Sequence, residues 1–531
     1  MSINLGSGTP ADVFHVYDTT LRDGSQREGL SLSVEDKLAV ATHLDDLGVG
    51  FIEGGWPGAN PKDEEFFRRA ADGALTLRHA QLAAFGATRK AGAIAADDPQ
   101  VRALVDARTP VVTLVAKSHV GHVERALRTT KDENLAMVRD TVAFLVGEGR
   151  RVFLDAEHFF DGYLLDRDYA LAVVRTAYDA GADVVALCDT NGGMLPGRLG
   201  DIVDEVVGLG LRVGIHAHDD TACAVANSLA AVDAGATHVQ GTANGYGERA
   251  GNADLFSVVA ALEVKQGRQV LPDGSLAELV RVSHAIAELA NITPDAHRPW
   301  VGASAFTHKA GLHASALKVD PDLYQHTDPA VVGNDMRVLV SELAGRASVE
   351  LKAKALSIEV DRETVGRVID RVKEMEAAGY TFEAAEASFE LLLREEVDGQ
   401  RPQFFELESY RVISESRVNG EHVSEATVKL HAKGERFVAT GEGNGPVNAL
   451  DRALRQALER VHPQLASFEL VDYKVRILEG AHGTGAITRV LVRTSDGDVE
   501  WDTVGVDENV IAASWQALAD AYTFGLLRNS S

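Results

Sequence analysis

Short apolar runs alternate with amphipathic helical patterns over the first half of the chain. Each run is bounded by polar or glycine-containing segments, which is typical of buried parallel strands. The predicted strands are Phe14–Tyr17, Gly50–Glu53, Leu82–Phe85, Val111–Val115, Arg151–Leu154, Val184–Leu187, Val213–His216 and Val239–Thr242. Strand–helix units in this order predict an α/β fold, a (β/α)8 TIM barrel, with an open doubly wound sheet as the alternative.

Helical patterns, with apolar residues three or four positions apart, lie between these runs. The main ones are Val34–Leu47, Asp63–Ala71, Glu133–Val146, Tyr169–Ala180, Gly200–Gly208 and Ala222–Ala234. The first has a capping start, because Ser33 precedes it and the acidic Asp36 follows three positions later. We predict that residues 1–285 form the barrel domain.

The region after the barrel is predicted to be a helical linker lobe over residues 286–400. Helical patterns run over Ser275–Asn291 and through Ser348–Ala378, and a histidine-containing segment lies between them. We expect this lobe to reach over a site on the barrel. A turn or linker at Asp398–Pro402, which contains glycine and proline, marks the next boundary.

The last part of the chain, residues 401–531, carries an internal duplication. The tripeptide Phe-Glu-Leu at 405–407 recurs at 468–470, and each copy shows strands followed by a helix, Leu450–Val461 or Val510–Ala521. No acid, base or metal cluster is evident here. We predict an α/β module that serves for dimerisation, for binding an effector between the copies, or for both.

Composition narrows the function classes. With 531 residues, 45% hydrophobic and 25% charged, the chain is expected to form two to four domains of a globular protein. Its net charge of −27 argues against nucleic-acid binding, and no apolar run reaches spanning length, which argues against a membrane partner. Only Cys188 and Cys223 occur, so no disulfide framework is expected. Met1–Pro10 lacks a leader pattern, and we expect a cytoplasmic protein.

Reactive side chains follow the predicted strands at their carboxyl ends, which is where TIM barrels carry their active sites. Seven of the eight strands show this pattern. The residues in chain order are Arg22 and Asp23, Glu53, Lys117, Glu157 and His158, Asp189 and Thr190, His216 and His218, and the glycine-rich loop Asn244–Asn252. Packing alone does not account for so many coincidences on separate strands.

Asp23, His216 and His218 are candidate metal ligands. The two histidines are two positions apart at a strand end, so their imidazoles project to the same side. One carboxylate and two imidazoles suit Mg²⁺ or Mn²⁺, with Zn²⁺ possible, and Asn252 could add a neutral oxygen. A partly open metal can chelate a 2-oxo acid and polarise its carbonyl.

Other polar residues could supply the remaining chemistry. Arg22 could stabilise a developing alkoxide, or could form a salt bridge to Glu53 that only fixes the loop, or both. Glu157 and His313 are candidates for a carboxylate–imidazole base relay. The glycines of the Asn244–Asn252 loop would let backbone amides approach a ligand, although they match no complete nucleotide-binding fingerprint.

Three motifs resemble those of a known family. They are Asp18-Thr19-Thr20-Leu21-Arg22-Asp23-Gly24-Ser25-Gln26, His216-Ala217-His218 and Gly247-Glu248-Arg249-Ala250-Gly251-Asn252. The chain is similar, over nearly its whole length, to the metal-dependent Claisen-condensing barrels that include the 2-isopropylmalate, homocitrate and citramalate synthases. In this family the matching Asp, two His and Asn surround the metal. Asp219 and Ala222 depart from the family's usual Asn and Gly.

Within the family, Ile52–Pro61, Asp155–Tyr163, Leu187–Gly193 and Val239–Thr242 resemble the citramalate synthase branch. The resemblance implies an acyltransferase that condenses acetyl-CoA with pyruvate to give (R)-citramalate. The residues it implies are Arg22, Glu157, His313 and Tyr324 for catalysis, Arg22, Gln26, Glu53 and Thr190 for substrate, Asn244, Gly245, Gly247 and Arg249 for acetyl-CoA, and Asp23, His216, His218 and Asn252 for metal. It also implies a homodimer whose lobe can act on the neighbouring barrel, and inhibition by isoleucine.

Three alternatives remain open at this point. The first is a sister synthase that uses a larger 2-oxo acid, such as 2-oxoisovalerate. The second is a lyase on the same barrel, which would run carbon–carbon bond formation backwards and needs a similar metal and base. The third is a catalytically silent binding or scaffolding protein. The C-terminal duplication favours a synthase, because biosynthetic entry steps commonly carry an effector domain.

Overall fold

A computed structural model of the chain describes residues 13–416, 418, 420–478 and 485–529. The chain divides into two compact units. The first holds the residues up to Phe306 together with Thr327–Asp335, and the second holds Thr307–His326 and the residues from Met336 onward. In the part of the chain that the structure describes, no helix has the length and apolar character needed to cross a membrane.

The first unit is a closed barrel of eight parallel strands, in which β1 pairs with both β2 and β8. The strands are β1 His15–Asp18, β2 Phe51–Glu53, β3 Gln81–Ala87, β4 Val111–Lys117, β5 Arg151–Glu157, β6 Val184–Asp189, β7 Val213–Ala217 and β8 His238–Gly241. The predicted TIM barrel is therefore confirmed, and the open sheet is excluded by closure between β1 and β8.

Helices follow the strands around the barrel. They are α1 Val34–Leu47, α2 Pro61–Arg69, α3 Pro99–Asp106, α4 Val120–Arg125, α5 Lys131–Gly147, α6 Phe159–Leu165, α7 Arg167–Asp179, α8 Pro196–Val207, α9 Ala224–Asp233, α10 Leu255–Val264 and α11 Leu279–Leu289. The capping box predicted for α1 is present, since Ser33 accepts from the Asp36 amide and the Asp36 carboxylate accepts from Ser33. Gly48, with φ of 90°, ends the helix.

Aromatic side chains and two histidines fill the amino-terminal end of the barrel interior. The Nδ1 atoms of His15 and His238 lie 3.1 Å apart, and both side chains are fully buried. The rings of Phe51 and Phe153 pack against His15, and Phe153 also contacts His238. Burial lowers the pKa of both histidines, so both are neutral in the folded barrel at pH 7.

This buried pair is expected to make the barrel acid-sensitive. An unfolded histidine has a pKa of about 6.5, so below that pH the unfolded chain binds protons at these two positions. In the folded barrel His15 and His238 stay neutral, so the free energy of unfolding falls as the pH is lowered. Each histidine contributes at most about 1.4 kcal/mol per pH unit. We expect urea unfolding at about pH 7 and about pH 5.5 to show a smaller stability loss for His238→Gln than for the wild type. An equal loss of stability in the variant and the wild type would mean that other residues cause the acid sensitivity.

The second unit begins with short helices and a two-stranded parallel sheet, β9 Thr307–His308 with β10 Arg337–Val338. Its helices are α12 Gly311–Leu317, α13 Arg346–Ala355, α14 Arg362–Ala377 and α15 Glu386–Asp398. The helical pattern predicted through Ser348–Ala378 was wrong in one respect: the helix breaks between α13 and α14. The break includes Ser357, whose φ of 56° is incompatible with a continuous right-handed helix.

The C-terminal module consists of two copies of a three-stranded antiparallel sheet followed by a helix. The first copy is β11 Glu406–Ser416, β12 His422–Ala432, β13 Glu435–Gly443 and α16 Pro446–Leu458; the second is β14 Glu469–Ile477, β15 Thr488–Ser495, β16 Glu500–Asp507 and α17 Val510–Arg528. Both copies contribute to one core. The first strand of each carries a bulge at the same repeat position, Leu407/Ser409 or Leu470/Asp472, so the predicted duplication is confirmed.

Candidate active site

A cavity of about 710 Å³ lies at the carboxyl ends of the barrel strands, where reactive residues were predicted. Residues at or just after the ends of all eight strands line it. The predicted site residues among them are Arg22, Asp23, Gln26, Glu157, Thr190, His216, His218 and Arg249. The fold therefore brings together residues that are far apart in the sequence, and the cavity has the size of a small-molecule site.

Asp23, His216 and His218 form a buried cluster in this cavity. His216 lies on β7 and His218 follows it by two positions, so both rings project to the same side. His216 Nε2 is 3.1 Å and His218 Nε2 is 3.7 Å from Asp23 Oδ2, and the two Nε2 atoms are 3.2 Å apart. One carboxylate oxygen and two imidazole nitrogens thus converge on one point.

The chemistry of these donors fits a divalent metal. Two imidazole nitrogens that face each other need a shared cation or proton, and a nearby carboxylate balances its charge. Burial raises the pKa of Asp23, but Arg22 and His216 outweigh it and keep the pKa well below its usual value. Burial lowers the pKa of His218 to about 4, so its imidazole is neutral and available as a ligand at pH 7.

Asn252 touches the cluster through its amide nitrogen. Its Nδ2 donates to Asp23 Oδ2 over 2.8 Å, while its buried Oδ1 has no hydrogen-bond partner among the described residues. A Cβ at Gly247 would lie 1.9 Å from this Oδ1, so only glycine fits beside Asn252. The role of Asn252 as a fourth metal ligand stays a prediction.

Arg22 is held between two carboxylates and an aromatic ring. Its Nε lies 2.5 Å from Glu53 Oε1, its Nη1 lies 3.2 Å from Asp23 Oδ1, and its guanidinium carbon is 3.8 Å from the centroid of the Phe85 ring. The two neighbouring carboxylates outweigh burial and raise the pKa of Arg22. Trp56 packs edge-on against Phe85 with the ring centroids 5.3 Å apart, and both aromatic side chains line the cavity.

Glu53 is fully buried, and both of its carboxylate oxygens accept hydrogen bonds from neighbouring side chains. Besides Arg22, the Tyr17 and Thr19 hydroxyls donate to Glu53, each over 2.6 Å. Of the two predicted roles of Arg22, the salt bridge to Glu53 is observed, and stabilisation of a developing alkoxide stays a prediction. Direct contact of Glu53 with a substrate stays a prediction.

Glu157 and Thr190, at the carboxyl ends of the neighbouring strands β5 and β6, both line the cavity. Glu157 is the last residue of β5 and forms an ion pair with Lys117 at the end of β4. The Thr190 hydroxyl accepts from the His158 backbone amide over 2.9 Å, which fixes its orientation. A carboxylate and an oriented hydroxyl therefore face the space beside the metal cluster.

The four residues predicted to bind acetyl-CoA lie in one loop but have different environments in the structure. Asn244 is buried and tied to Ser283, which donates to its Oδ1 over 2.6 Å and accepts from its Nδ2 over 3.0 Å. Gly245 and Gly247 have φ of 63° and 159°, and they shape the loop around Asn252. Of the four, Arg249 alone is among the described residues that line the cavity. Contact of these residues with acetyl-CoA stays a prediction.

Arg249 connects the loops that follow three neighbouring strands. Its Nε and Nη2 donate to the Asp220 carboxylate over 2.8 and 2.9 Å, and Nη2 also donates to the Thr190 carbonyl over 2.8 Å. The bidentate pair with Asp220 holds a planar guanidinium in one orientation.

His313 and Tyr324 belong to the second unit. His313 lies on α12, and its ring is 4.1 Å from the Tyr324 ring, centroid to centroid. Both side chains are partly exposed. The two predicted catalytic residues are thus paired with each other, and their action on a barrel stays a prediction.

Sequence reasoning missed Asp155 and Gln240 as site residues. Asp155 lies on β5 two positions before Glu157, so it faces the same way, and it lines the cavity. Burial raises its pKa to about 7. Gln240 bridges Asp155 and His216 from β8. The strand alternation was a signal for Asp155, whereas Gln240 lay in a stretch that resembles the citramalate synthase branch but had no role assigned to it.

Comparisons with known proteins agree along the whole chain. The HMGL-like family matches residues 13–286, the homocitrate synthase post-HMGL domain-like family matches 300–379, and the LeuA allosteric (dimerisation) domain matches 383–526. An (R)-citramalate synthase of Streptomyces coelicolor is 69% identical over 97% of both chains. One from Synechocystis sp. is 48% identical over 96% of both. A probable 2-isopropylmalate synthase of Methanopyrus kandleri is 34% identical over 95% of this chain and 97% of that protein. The chain therefore belongs to the HMGL-like family and, within it, to the (R)-citramalate synthase branch.

Proposed function

We propose that the protein is an (R)-citramalate synthase, which converts acetyl-CoA, pyruvate and water into citramalate and CoA. The observation that carries the proposal is the 69% identity over 97% of the chain to an (R)-citramalate synthase. The buried Asp23–His216–His218 cluster beside Arg22 supports it, because this chemistry needs an activated keto group.

The barrel residues divide into metal-binding and keto-acid-binding groups. Asp23, His216 and His218 would hold a divalent metal, Mg²⁺ or Mn²⁺ rather than Zn²⁺, and when bound it supplies Lewis-acid polarisation of the keto group. Arg22 donates hydrogen bonds to the alkoxide that develops on the keto oxygen. The Thr190 hydroxyl and Gln26 bind the carboxylate of pyruvate.

Aromatic side chains beside Arg22 support pyruvate over larger 2-oxo acids as the substrate. The Phe85 ring lies against the Arg22 guanidinium, and Trp56 packs on Phe85, so aromatic carbon limits the cavity there. If the methyl group of pyruvate lies against these rings, the extra methyl groups of a larger keto acid would have to displace them. Overpacking of this kind typically costs about 1–3 kcal/mol.

Carbon–carbon bond formation also needs a base. We assign the removal of a proton from the methyl group of acetyl-CoA to His313, assisted by Glu157 and Tyr324. The resulting carbanion attacks the keto carbon of pyruvate, the keto oxygen takes up a proton, and water then cleaves the thioester to release CoA. The ring contact of His313 with Tyr324 and the place of Glu157 in the barrel cavity support these roles.

Replacing His313 by alanine is expected to lower kcat by about 100-fold, because general-base catalysis contributes factors of this order. Pyruvate binding should change little, since His313 lies outside the barrel unit. Deuterium exchange into the acetyl-CoA methyl group measures the proton step directly. His422→Ala removes an exposed histidine of the same unit and serves as the control. Equal losses in exchange and in pyruvate affinity would remove the base role from His313.

The proposed function is tested by thiol release with a panel of 2-oxo acids. With acetyl-CoA, we expect kcat/KM for pyruvate to exceed that for 2-oxoisovalerate by about 10–200-fold, the range that hydrophobic pockets achieve per methylene group. Equal or better turnover of 2-oxoisovalerate would assign the chain to a sister synthase. Cleavage of a 3-hydroxyacyl-CoA without thiol release would indicate a lyase, and complete inactivity would indicate a binding protein.

The C-terminal module supports a further part of the proposal: a homodimer inhibited by isoleucine, acting at the entry to isoleucine biosynthesis in the cytoplasm. The match to an allosteric (dimerisation) domain over 383–526 motivates it. Apolar side chains on the sheets are exposed to solvent: the exposed fractions of Ile413, Val438 and Ile477 are 42%, 49% and 61%. Sedimentation equilibrium should give twice the chain mass of 56.8 kDa, and isoleucine should inhibit thiol release.

A further inference from the structure

We propose that Gln240 is a positioning residue that orients His216 for metal binding, with Asp155 holding the glutamine amide in place. The inference rests on the proposed function only through the metal cluster. Gln240 lies on β8 next to His216 on β7 and is 1% exposed. His216 Nδ1 is 2.7 Å from Gln240 Oε1, and Gln240 Nε2 is 2.7 Å from Asp155 Oδ1.

The direction of the glutamine amide follows from what its neighbours can accept. Asp155 Oδ1 accepts a hydrogen bond in the ionised carboxylate, and also in the acid when the proton is on Oδ2. The Gln240 NH₂ group therefore faces Asp155, and the amide oxygen faces the imidazole of His216. With Asp155 ionised, turning the amide over would set its oxygen against a carboxylate oxygen, so the ionised carboxylate enforces this orientation.

This orientation determines which ring nitrogen of His216 is free. An amide oxygen only accepts, so His216 Nδ1 must carry the hydrogen. The lone pair then belongs to Nε2, the atom that faces Asp23 and His218. Histidine ligands commonly have their second nitrogen fixed in this way, usually by a carboxylate or a backbone carbonyl, and loss of that partner weakens metal binding.

The second histidine of the cluster has no equivalent support. His218 Nδ1 is buried and makes no hydrogen bond to any residue that the structure describes. The orientation of its ring depends on packing and on the cluster itself. His216 is therefore the ligand whose ring is held by a hydrogen bond, which it donates from Nδ1 to Gln240 Oε1.

Two substitutions of Gln240 separate orientation from packing. Gln240→Leu has a similar volume but no acceptor, so His216 Nδ1 loses its partner. Gln240→Glu keeps an acceptor for Nδ1. If Gln240 orients His216, the Kd for Mn²⁺, measured by electron paramagnetic resonance of the free ion, rises by about 10–100-fold in Gln240→Leu and stays within about threefold in Gln240→Glu. If Gln240 only packs, leucine is tolerated and the buried carboxylate is not, so the order reverses.

The same measurement on Asp155 covers the case in which a Gln240 variant does not fold. Asp155→Leu removes the acceptor for the Gln240 amide, while Asp155→Asn keeps an oxygen there and removes only the charge. We expect a Kd for Mn²⁺ about tenfold higher for Asp155→Leu than for Asp155→Asn. Wild-type Mn²⁺ affinity in Gln240→Leu, or equal affinities for the two Asp155 variants, overturns the proposal. Wild-type protein that binds Mn²⁺ but does not turn over pyruvate overturns the proposed function instead.

Discussion

The variant His218→Ala is expected to turn over pyruvate at least about 1,000-fold more slowly than the wild type, because a metal's polarisation of a carbonyl is worth several kcal/mol. The His218 Nε2 atom lies 3.2 Å from His216 Nε2 and 3.7 Å from Asp23 Oδ2. Its loss leaves one imidazole and one carboxylate of the observed cluster, so we expect a divalent ion to bind much more weakly. Thiol release with pyruvate and acetyl-CoA measures the activity, and Mn²⁺ titration measures the ion.

The matched control for this variant is His43→Ala. His43 lies on α1 in the outer ring of helices, away from the strand ends, and we expect activity within about twofold of the wild type. If His218→Ala were to bind Mn²⁺ with unchanged affinity, His218 would not be a ligand. If it lost Mn²⁺ yet kept its activity, the metal would not take part in the reaction.

The barrel could be predicted from the sequence because each of its strands carries its own signal. The run Val184–Leu187 is apolar throughout and Val111–Val115 is apolar except for Thr113, as expected for strands buried on both faces, and both form strands of the closed sheet. Closure brings all carboxyl ends to one rim. Residues as distant in sequence as Asp23 and His216 were therefore predictable neighbours once the fold class was settled.

Contacts between strands were not predictable in the same way. The bond between His216 and Gln240 depends on the register of β7 against β8, which a single sequence does not reveal. The Asn244 side chain also shows the limit of motif reading. A loop rich in glycine suggests an exposed ligand-binding segment, yet Asn244 is buried and fastens the loop to Ser283. Burial of a polar side chain follows from tertiary packing, and local sequence does not encode it.

The hydrophobic periodicity also did not predict the helix boundaries inside the second unit. Apolar residues continue at helical spacing across the join of α13 and α14, so the sequence pattern alone extends through it. The chain nevertheless turns at Ser357, where φ is 56°. Both helices contribute to one small core that includes Val349, Val365 and Val368, so tertiary packing accounts for a break that the periodicity does not show.

Substitution of Arg22 by lysine is the second change with a large expected effect, a loss of about 100–1,000-fold in kcat. Arginine contacts Glu53 and Asp23 with different nitrogens while its flat face covers Phe85. A lysine ammonium is a point charge that cannot make both contacts and stack on the ring. If Arg22 donates to the developing alkoxide, kcat falls more than the affinity for pyruvate, because the interaction strengthens in the transition state.

Two companion variants make the Arg22 result specific. Arg102→Lys changes an exposed arginine on α3 and should leave kcat within about twofold of the wild type. Glu53→Gln keeps an oxygen for Arg22 but removes the charge that orients it, so a loss of about tenfold, smaller than that of Arg22→Lys, is expected. Retention of most of the activity by Arg22→Lys would show that positive charge alone is enough. Tyr17, Thr19 and Arg22 all donate hydrogen bonds to Glu53. A smaller loss of kcat in Glu53→Gln than in Arg22→Lys would therefore mean that Glu53 acts by orienting the Arg22 guanidinium.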